Sequence, residues 1–359
     1  MSGRLKLRRG VVVGEDPLTV EVDGERRPAW ADEGLLGEMR EGDEVVVNVA
    51  ALDLDLDSGG FDVVHVNLTR GLDASGESRE HVMKLNYSSL QHPIAPVELP
   101  VRLMSDIGAK GAPEAPGRVM PVLVLPLHGH LAPAAWAVAQ AALGLTVGYV
   151  QTAGGALPGS LSRDVAELRE RGLLGGHIAA APAYGAEHEA LSVAGALNAA
   201  ANRLAWDVAL AGPGPGIVGS ETRLGHGGMA ALETAHASLA LRLPVLLSPR
   251  LSASDPRDRH RIVSHHTLTV MRMLLAGVEV AVPSAEPVVA AQLAEAAGWR
   301  HRLREAPADL AGYAAAGLPA RTMGRDIQED PLFFAAPLAA GKVLGSSSAG
   351  GVGSVVPGG

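Results

Sequence analysis

Histidines and arginines are concentrated in one stretch of a chain that otherwise carries few charges. The segment SDPRDRHRIVSHHTLTV, Ser254 to Val270, holds three histidines and three arginines, although only 19% of the chain is Asp, Glu, Lys or Arg. Imidazole exchanges protons near neutral pH and ligates metals, and guanidinium groups bind phosphate or carboxylate. This combination indicates a site for an anionic ligand, with acid–base groups beside it.

The two adjacent histidines are the main acid–base candidates. Ser264 is a typical N-cap, and the apolar spacing of Leu268, Met271 and Leu274 predicts a helix over 264–276. His265 and His266 then lie in its first turn and off its buried face, where the helix dipole favours neutral imidazole. Candidate orienting carboxylates are Asp255 and Asp258, and candidate ligand-binding groups are Arg250, Arg257 and His260. A solvated loop with internal Asp–Arg pairs is the alternative interpretation of the arginines.

Glycine-rich loops supply a second set of candidates. GPGIVG, 214–219, has the spacing G-x-G-x-x-G after a predicted strand, so its backbone N–H groups could approach a phosphate. The next helix begins only near Gly228, and the next strand ends in Ser248 instead of an acidic residue, which disfavours a dinucleotide. No cofactor is assigned. The predicted ligand-binding residues in these loops are Gln151, Gly154, Gly155, Gly214, Gly216 and Gly219.

A metal site is an alternative use of the histidines. His128 and His130 form an H-x-H pair after the first predicted strand, and an extended segment would present both on one face. Zinc needs at least three protein ligands, which His226, His260, His265, His266 and Asp255 could complete from neighbouring loops. Hydrogen bonding at the strand ends would explain the pair equally well.

Composition excludes several classes of site. The chain has no cysteine, which rules out disulfides, thiolate nucleophiles and cysteine-ligated metals. No lysine lies between residues 111 and 341, so a P-loop or Schiff-base lysine is excluded there. The net charge of −9 argues against nucleic acid as a partner. No signal peptide or membrane span is evident, which predicts a cytoplasmic protein.

Two kinds of secondary-structure pattern divide the chain. Valine-rich segments with Gly and Asp turns predict a small β barrel or sandwich over 1–92, followed by a proline-rich linker over 93–118. Strands and helices alternate over 119–335, which predicts a doubly wound, mostly parallel, Rossmann-like sheet of about six strands. The Gly/Ser-rich segment 336–359 is expected to be disordered.

The α/β pattern places the candidates at one edge of this sheet. Ligands of open parallel sheets bind beyond the carboxyl ends of the strands, and the loops there contain most of the region's glycines and histidines. Turn formation alone would explain the glycines but not the histidines. We therefore expect His265 and the loop at Gly214 to share one pocket.

Several long motifs resemble one bacterial protein family. The segments are GPGIVGSETRLG and DPRDRHRIVSHHTLTV, together with LDLDLDSGGFDVV and HVMKLNYSSLQ near the N-terminus. They are similar to domain-of-unknown-function family 3866, and the resemblance extends to about Pro337. It implies a bacterial, cytoplasmic protein and supplies no activity.

The sequence thus favours binding, with or without transformation, of a small anionic ligand such as a phosphate ester or nucleotide. A metal-dependent hydrolase built on His128 and His130 is the second hypothesis, and a non-catalytic scaffold or regulatory module is the third. Whether the protein is an enzyme and whether it forms a homo-oligomer are left open. A screen for ligands that raise the unfolding temperature distinguishes binding from the scaffold hypothesis.

Overall fold

The computed structural model describes residues 4–54, 60–72, 80–98 and 119–351. The chain divides into two compact units, Met1–Pro93 and Ile94–Gly359. Most of the predicted linker, residues 99–118, lies outside the described residues.

The first unit contains a closed five-stranded barrel with strand order β1-β2-β3-β5-β4. β1 also pairs with β4, and only the β3–β5 pair is parallel. Alternate valines such as Val12, Val20 and Val47 point inward and are fully buried, as the two-residue period of a strand requires. The elements are β1 Leu7–Glu15, β2 Leu18–Val22, β3 Glu25–Trp30, α1 Glu33–Leu36, β4 Glu44–Asn48, α2 Ala50–Asp53, β5 Asp62–Asn67, and the paired strands β6 Val82–Lys84 and β7 His92–Ile94.

The second unit is built on an eight-stranded, fully parallel sheet of order β11-β10-β9-β12-β8-β13-β16-β17. All six predicted strands are present, so the prediction of about six was two too few. The extra strands, β11 and β17, lie at the two edges, where a strand need not be apolar on both faces. The strands are β8 Val122–Val124, β9 Val147–Thr152, β10 Gly176–Ala180, β11 His188–Ala190, β12 Val208–Pro213, β13 Val245–Leu247, β16 Glu279–Pro283 and β17 Arg302–Ala306.

Helices cover both faces of this sheet. Val122 and Val124 of β8 belong to a core with α5 to α8, whereas Leu123 and Leu125 belong to a second core with α3, α4, α9 and α10. Neighbouring residues of one strand thus enter opposite cores, which explains why the strands are continuously apolar. The helices are α3 Leu131–Ala141, α4 Arg163–Glu170, α5 Val193–Asn202, α6 Ala230–Ala240, α7 His265–Met273, α8 Pro287–Ala297, α9 Leu310–Ala315 and α10 Pro331–Gly351.

Two short ribbons lie in the connections that follow β13 and α9. β14 Leu251–Ser252 pairs with β15 Ile262–Val263, and β18 Arg321–Thr322 pairs with β19 Arg325–Asp326. The first ribbon closes the base of the loop that carries the Arg- and His-rich segment. Residues 253–261 therefore form a loop whose two ends are hydrogen-bonded together, and His265 and His266 follow it in α7.

The C-terminal segment differs from the sequence prediction. Disorder was expected over 336–359, but 336–351 continues α10, and Leu338, Ala339 and Ala340 are buried. Residues 352–359 lie outside the described residues. A Cβ on Gly341 would lie 2.5 Å from the carbonyl oxygen of Ala134 in α3, so the glycine allows the two helices to approach closely. The small residues, which suggested a flexible segment, instead form the face of α10 that contacts α3. Among the described residues, no helix is both long and apolar enough to cross a membrane.

Candidate functional site

The central strands β12, β8 and β13 are neighbours, and the loops after them contain most of the predicted site residues. The loop after β12 ends in a short 3-10 turn at Gly227–Met229, and the loop after β13 leads through β14 and β15 into α7. Ser264 caps α7, as predicted, because its Oγ accepts a hydrogen bond from the backbone N–H of His266 at 3.2 Å. The two adjacent histidines are therefore held in the first turn of this helix.

Four histidine rings meet at this edge of the sheet and are called the histidine cluster: His226, His260, His265 and His266. The rings of His226 and His266 stack in parallel, with centroids 3.6 Å apart, and His265 lies 4.4 Å from His266. His260 lies 5.0 Å from His265 and 4.8 Å from His266. The end of the loop after β12 and the segment after β13 thus meet at these four rings.

Hydrogen bonds determine which ring nitrogens of the cluster carry protons. The Nε2 of His226 donates to the carbonyl oxygen of Arg223 at 3.1 Å, so its Nδ1 is a lone-pair acceptor. Within the described part of the chain, this buried Nδ1 has no hydrogen-bond partner. The Nδ1 of His266 accepts from Nη1 of Arg250 at 3.2 Å, and the Nδ1 of His260 lies 2.7 Å from Ser264 Oγ.

The cluster is neutral at physiological pH. Burial, followed by the charge of Arg250, lowers the pKa of His260 to about 3 and that of His266 to about 2. Burial also lowers the pKa of His226, and burial, followed by the repulsion that a protonated His226 would exert, lowers that of His265. Each imidazole can therefore ligate a metal without first losing a proton.

An Arg–Asp network adjoins the histidines. The fully buried Asp255 accepts two hydrogen bonds from the Arg257 guanidinium, at 2.9 and 2.8 Å, and lies 3.5 Å from Nη2 of Arg250. Arg325 of β19 lies 3.7 Å from the same carboxylate and also pairs with the buried Asp330 at 3.2 Å. Although burial alone would raise the pKa of Asp255, its bonds with Arg257 hold that pKa below its usual range. Asp255 therefore orders the arginines.

The network has more donors than acceptors. Among the described residues, two buried guanidinium nitrogens lack a hydrogen-bond partner, Nε of Arg250 and Nη2 of Arg325. Arg250 itself is only 5% exposed. Three guanidinium groups face two carboxylates, so one positive charge is in excess. A buried charged donor without an acceptor is costly in a folded protein and marks a place where a ligand oxygen would be favourable.

Comparison with known proteins identifies the family. A family model described as "Protein of unknown function (DUF3866)" matches residues 29–341. The chain belongs to the DUF3866 family. No curated protein and no solved structure gives a significant match. The matched range contains the histidine cluster and the Arg–Asp network of this DUF3866 protein, and no activity is attached to them.

The site of this DUF3866 protein differs from the prediction in its carboxylates. Neither Asp255 nor Asp258 hydrogen-bonds to the imidazoles of His265 or His266 in the contacts observed. Asp255 is occupied by arginines, and Asp258 lies on the surface, with Arg261 at 3.9 Å as its ion-pair partner. Sequence proximity suggested an orienting role, but the 3-10 turn at Asp258–His260 turns that carboxylate into solvent.

Three of the five glycines predicted to bind a ligand have another role in the structure. A Cβ on Gly154 would lie 2.3 Å from Gly227 O, one on Gly155 would lie 2.0 Å from Gly214 O, and one on Gly214 would lie 2.3 Å from Ala156 O. These glycines allow the loops after β9 and β12 to pack backbone against backbone. Gly216 and Gly219 have open or loosely filled space beside them. At these two positions ligand binding stays a prediction.

Gln151 is committed to the same loop packing. Its amide Nε2 donates to the carbonyl oxygens of Ala156 and Leu157 at 3.0 and 3.2 Å, and its Oε1 lies 3.1 Å from His177 Nε2. Both ends of the amide are thus satisfied within the protein. Gln151 therefore holds the loop after β9 in place, whereas the sequence predicted that it contacts a ligand.

The H-x-H pair does not have the extended conformation that its metal role required. His128–His130 forms a 3-10 turn, and the two rings have different partners: Nε2 of His128 lies 2.7 Å from Ser162 Oγ, and Nδ1 of His130 lies 2.8 Å from Ser248 Oγ. Within the described ranges, the histidines spaced for a common metal ion are His226, His265 and His266. Local turn geometry, which the two-residue spacing does not reveal, separates the pair.

Several residues of the site had no signal in the sequence, or only a weak one. Arg325 and Asp330 come from a segment about 70 residues after Asp255 in the chain, and only the tertiary structure joins them to the site. Gly228 and Ser248 line a small cavity of about 10 Å³ together with His266. The cavity has room for about one water molecule.

Proposed function

We propose that this protein binds a small ligand carrying an oxyanion, such as a phosphate ester or nucleotide, beside Arg250 and the histidine cluster. The observation that carries the proposal is the buried Arg250 guanidinium, whose Nε has no partner among the described residues. Guanidinium N–H groups bind phosphate and carboxylate oxygens in charge-assisted hydrogen bonds. An oxyanion would satisfy this donor and neutralise the excess positive charge of the network.

The position in the fold supports the same proposal. We infer a doubly wound arrangement, because helices pack on both faces of the parallel sheet. The helix after β8 lies on one face, and the helices after β12 and β13 lie on the other. In such sheets, ligands bind in the crevice where the connections of neighbouring strands diverge. The loops of β8, β12 and β13 meet at that crevice.

The exposed side chains of the site indicate the side from which the proposed ligand would enter. The cavity next to His266 holds no more than a water-sized group, so a larger ligand enters elsewhere. The side chain of Arg257 is 44% exposed and that of Arg259 is 35% exposed, while His265 is half-buried. A phosphate on this side would meet Arg257 first and reach the Arg250 guanidinium after a local movement of the loop.

A ligand screen with matched arginine variants tests the proposal. Inorganic phosphate, sugar phosphates, nucleotides and small carboxylates are added to EDTA-treated protein, and the unfolding temperature is recorded. A ligand at one hundred times its Kd stabilises the fold by about 2.7 kcal/mol. Stabilisation by the ligand should be smaller in Arg250→Gln than in the unaltered protein. It should be unchanged in the control Arg171→Gln, because Arg171 pairs with Glu167 of α4, away from the Arg–Asp network.

Two results would contradict the proposal. One is the absence of stabilisation by every compound in the screen, which would favour a scaffold or regulatory module. The other is equal stabilisation of Arg250→Gln and the unaltered protein, which would place the anion elsewhere.

A further inference from the structure

The histidine cluster contains an acceptor that a fully deprotonated oxyanion cannot satisfy. His226 is 8% exposed, its Nε2 donates to Arg223 O, and its Nδ1 lone pair has no partner within the described residues. An oxyanion brings more lone pairs and would repel this nitrogen. A metal ion would satisfy it, and a backbone carbonyl on the opposite ring nitrogen is the contact that typically orients a metal-binding histidine.

Space beside this nitrogen is provided by a glycine. A Cβ on Gly228 would lie 3.0 Å from Nδ1 of His226 and 3.2 Å from Nδ1 of His266. Both nitrogens therefore face a volume that any other residue would fill with its side chain. The two rings come from separate loops, so their joint approach to this glycine is a property of the tertiary structure.

We propose that His226, His265 and His266 bind one divalent transition-metal ion. One nitrogen from each ring lies within 4.8 Å of the others. In a tetrahedral zinc site with Zn–N bonds of about 2.0–2.1 Å, the nitrogens lie about 3.3 Å apart. Closing this difference requires the stacked rings of His226 and His266 to tilt, which side-chain rotation allows. The metal would draw the three nitrogens together.

The chemistry of the ligands selects the metal. Imidazole suits zinc, copper, nickel and cobalt, whereas magnesium and calcium require oxygen ligands. Three protein ligands leave a fourth position for water or an anion, as in catalytic zinc sites. His260 packs against His265 and His266 and is held by Ser264, so it borders the proposed metal without being needed as a ligand.

Arg250 connects this metal to the proposed anion. Its Nη1 now donates to Nδ1 of His266, so a metal at that nitrogen would displace the guanidinium and free a second N–H. An oxygen bound at the open metal position could then accept from Arg250. The metal proposal goes beyond the anion proposal and stands without it, because the histidines alone supply the ligands.

Metal titration tests the inference directly. Protein without a polyhistidine tag is treated with EDTA and titrated with Co²⁺, whose visible absorption reports coordination, and Zn²⁺ is then added as a competitor. We expect one Co²⁺ per chain, displaced by one Zn²⁺. The variants His226→Gln, His265→Gln and His266→Gln should each weaken binding by more than about tenfold, since even residues that only orient a ligand contribute this much.

The matched control is His188→Gln, because His188 lies in β11 at the edge of the sheet. Its metal affinity should equal that of the unaltered protein. Unchanged affinity in the three cluster variants, or no saturable Co²⁺ binding by the unaltered protein, would overturn the proposal. If the variants do not fold, pulsed EPR of the Cu²⁺-loaded unaltered protein still decides the matter, since bound imidazole nitrogens are detected directly. Their absence would also overturn it.

Arg250→Gln separates this inference from the anion proposal. Removal of the guanidinium charge and of its bond to His266 should strengthen Co²⁺ binding while weakening phosphate binding in EDTA-treated protein. Phosphate binding without Co²⁺ binding would support the anion proposal and overturn the metal proposal. Co²⁺ binding without phosphate binding would support the metal proposal and overturn the anion proposal.

Discussion

The histidines near β9 and those of the histidine cluster have different surroundings. Near β9, the ring nitrogens of His128 lie near Ser162 Oγ and Pro213 O, and His177 pairs with Gln151. We call His128, Tyr149, Gln151, Ser162 and His177 the β9 network. In the histidine cluster, by contrast, the Nδ1 of His226 and the neighbouring Nε of Arg250 have no partner within the described chain.

This difference separates the β9 network from the histidine cluster, although the buried Nε2 of His130, outside both groups, also lacks a partner among the described residues. Both groups contain buried imidazoles near the parallel sheet, so residue type does not distinguish them. Hydrogen bonding does, because a satisfied buried polar group stabilises the fold, while an unsatisfied one lowers stability unless a ligand completes it. We expect variants of the β9 network to change stability, and variants of the cluster to change binding.

Asp255→Asn should cause the largest loss of stability. The change removes the buried carboxylate that Arg250, Arg257 and Arg325 share, and breaking a buried pair in this way costs about 3–5 kcal/mol. Urea unfolding measures the loss. Asp258→Asn is the matched control, because this exposed side chain should contribute less than about 0.5 kcal/mol. Equal effects of the two changes would mean that the network does not hold the loop.

The pH dependence of stability should reveal the buried neutral histidines near β8. Burial lowers the pKa of His128 to about 4 and that of His130 to about 3 from the ordinary value of 6.5. Below pH 6.5 the unfolded chain binds protons that the folded protein does not, so the free energy of unfolding falls as pH falls. Each histidine contributes about 1.4 kcal/mol per pH unit, down to about pH 4 for His128 and pH 3 for His130.

Urea unfolding between pH 5 and pH 7 measures this slope. His130→Gln should reduce the slope below pH 6.5 by the contribution of one proton. An unchanged slope in that variant would show that His130 is not a buried neutral group in the folded protein.

Tyr149→Phe should lower stability moderately without altering binding. The hydroxyl of the buried Tyr149 donates to the carbonyl oxygens of Gly212 and Pro213, at 3.0 and 2.9 Å, and its loss should cost about 1–2 kcal/mol. Thermal unfolding and Co²⁺ titration are measured on the same sample. His265→Gln should give the opposite pattern, with weakened metal binding and little change in stability. Loss of metal binding in Tyr149→Phe would contradict the division between the two groups.

Gly228→Ala should have the smallest effect on stability and a clear effect on binding. The new methyl group would lie 3.0 and 3.2 Å from the Nδ1 atoms of His226 and His266, a tight contact that small shifts relieve at a cost of about 1 kcal/mol. It would also occupy the proposed metal position, so Co²⁺ affinity should fall strongly. The matched control is Gly14→Ala, because a Cβ there meets only ordinary contacts in the barrel. Gly144 is unsuitable as a control because its φ of +81° would strain an alanine. Full Co²⁺ affinity in Gly228→Ala would place the metal elsewhere.

Local sequence patterns predicted much of the fold. Continuous apolar runs such as VLV and VALAG identify strands buried on both faces, and Ser264 identifies the start of α7. The edge strands β11, HEA, and β17, RLREA, lack such runs because most of their side chains are partly buried or exposed. The C-terminal helix was missed because glycines such as Gly341 resemble a flexible composition until the partner helix is known.

The sequence by itself determined the residue types of the site, the loops that carry them and the position of His265 and His266 at a helix start. Each of these follows from local rules of periodicity and capping. Only the tertiary structure decided that His226 stacks on His266, that Arg325 joins Asp255, and that Gly154 packs against Gly227 and not against a ligand. Whether a buried nitrogen finds a partner depends on groups distant in sequence, which is why the sequence did not reveal that His226 Nδ1 and Arg250 Nε lack one among the described residues.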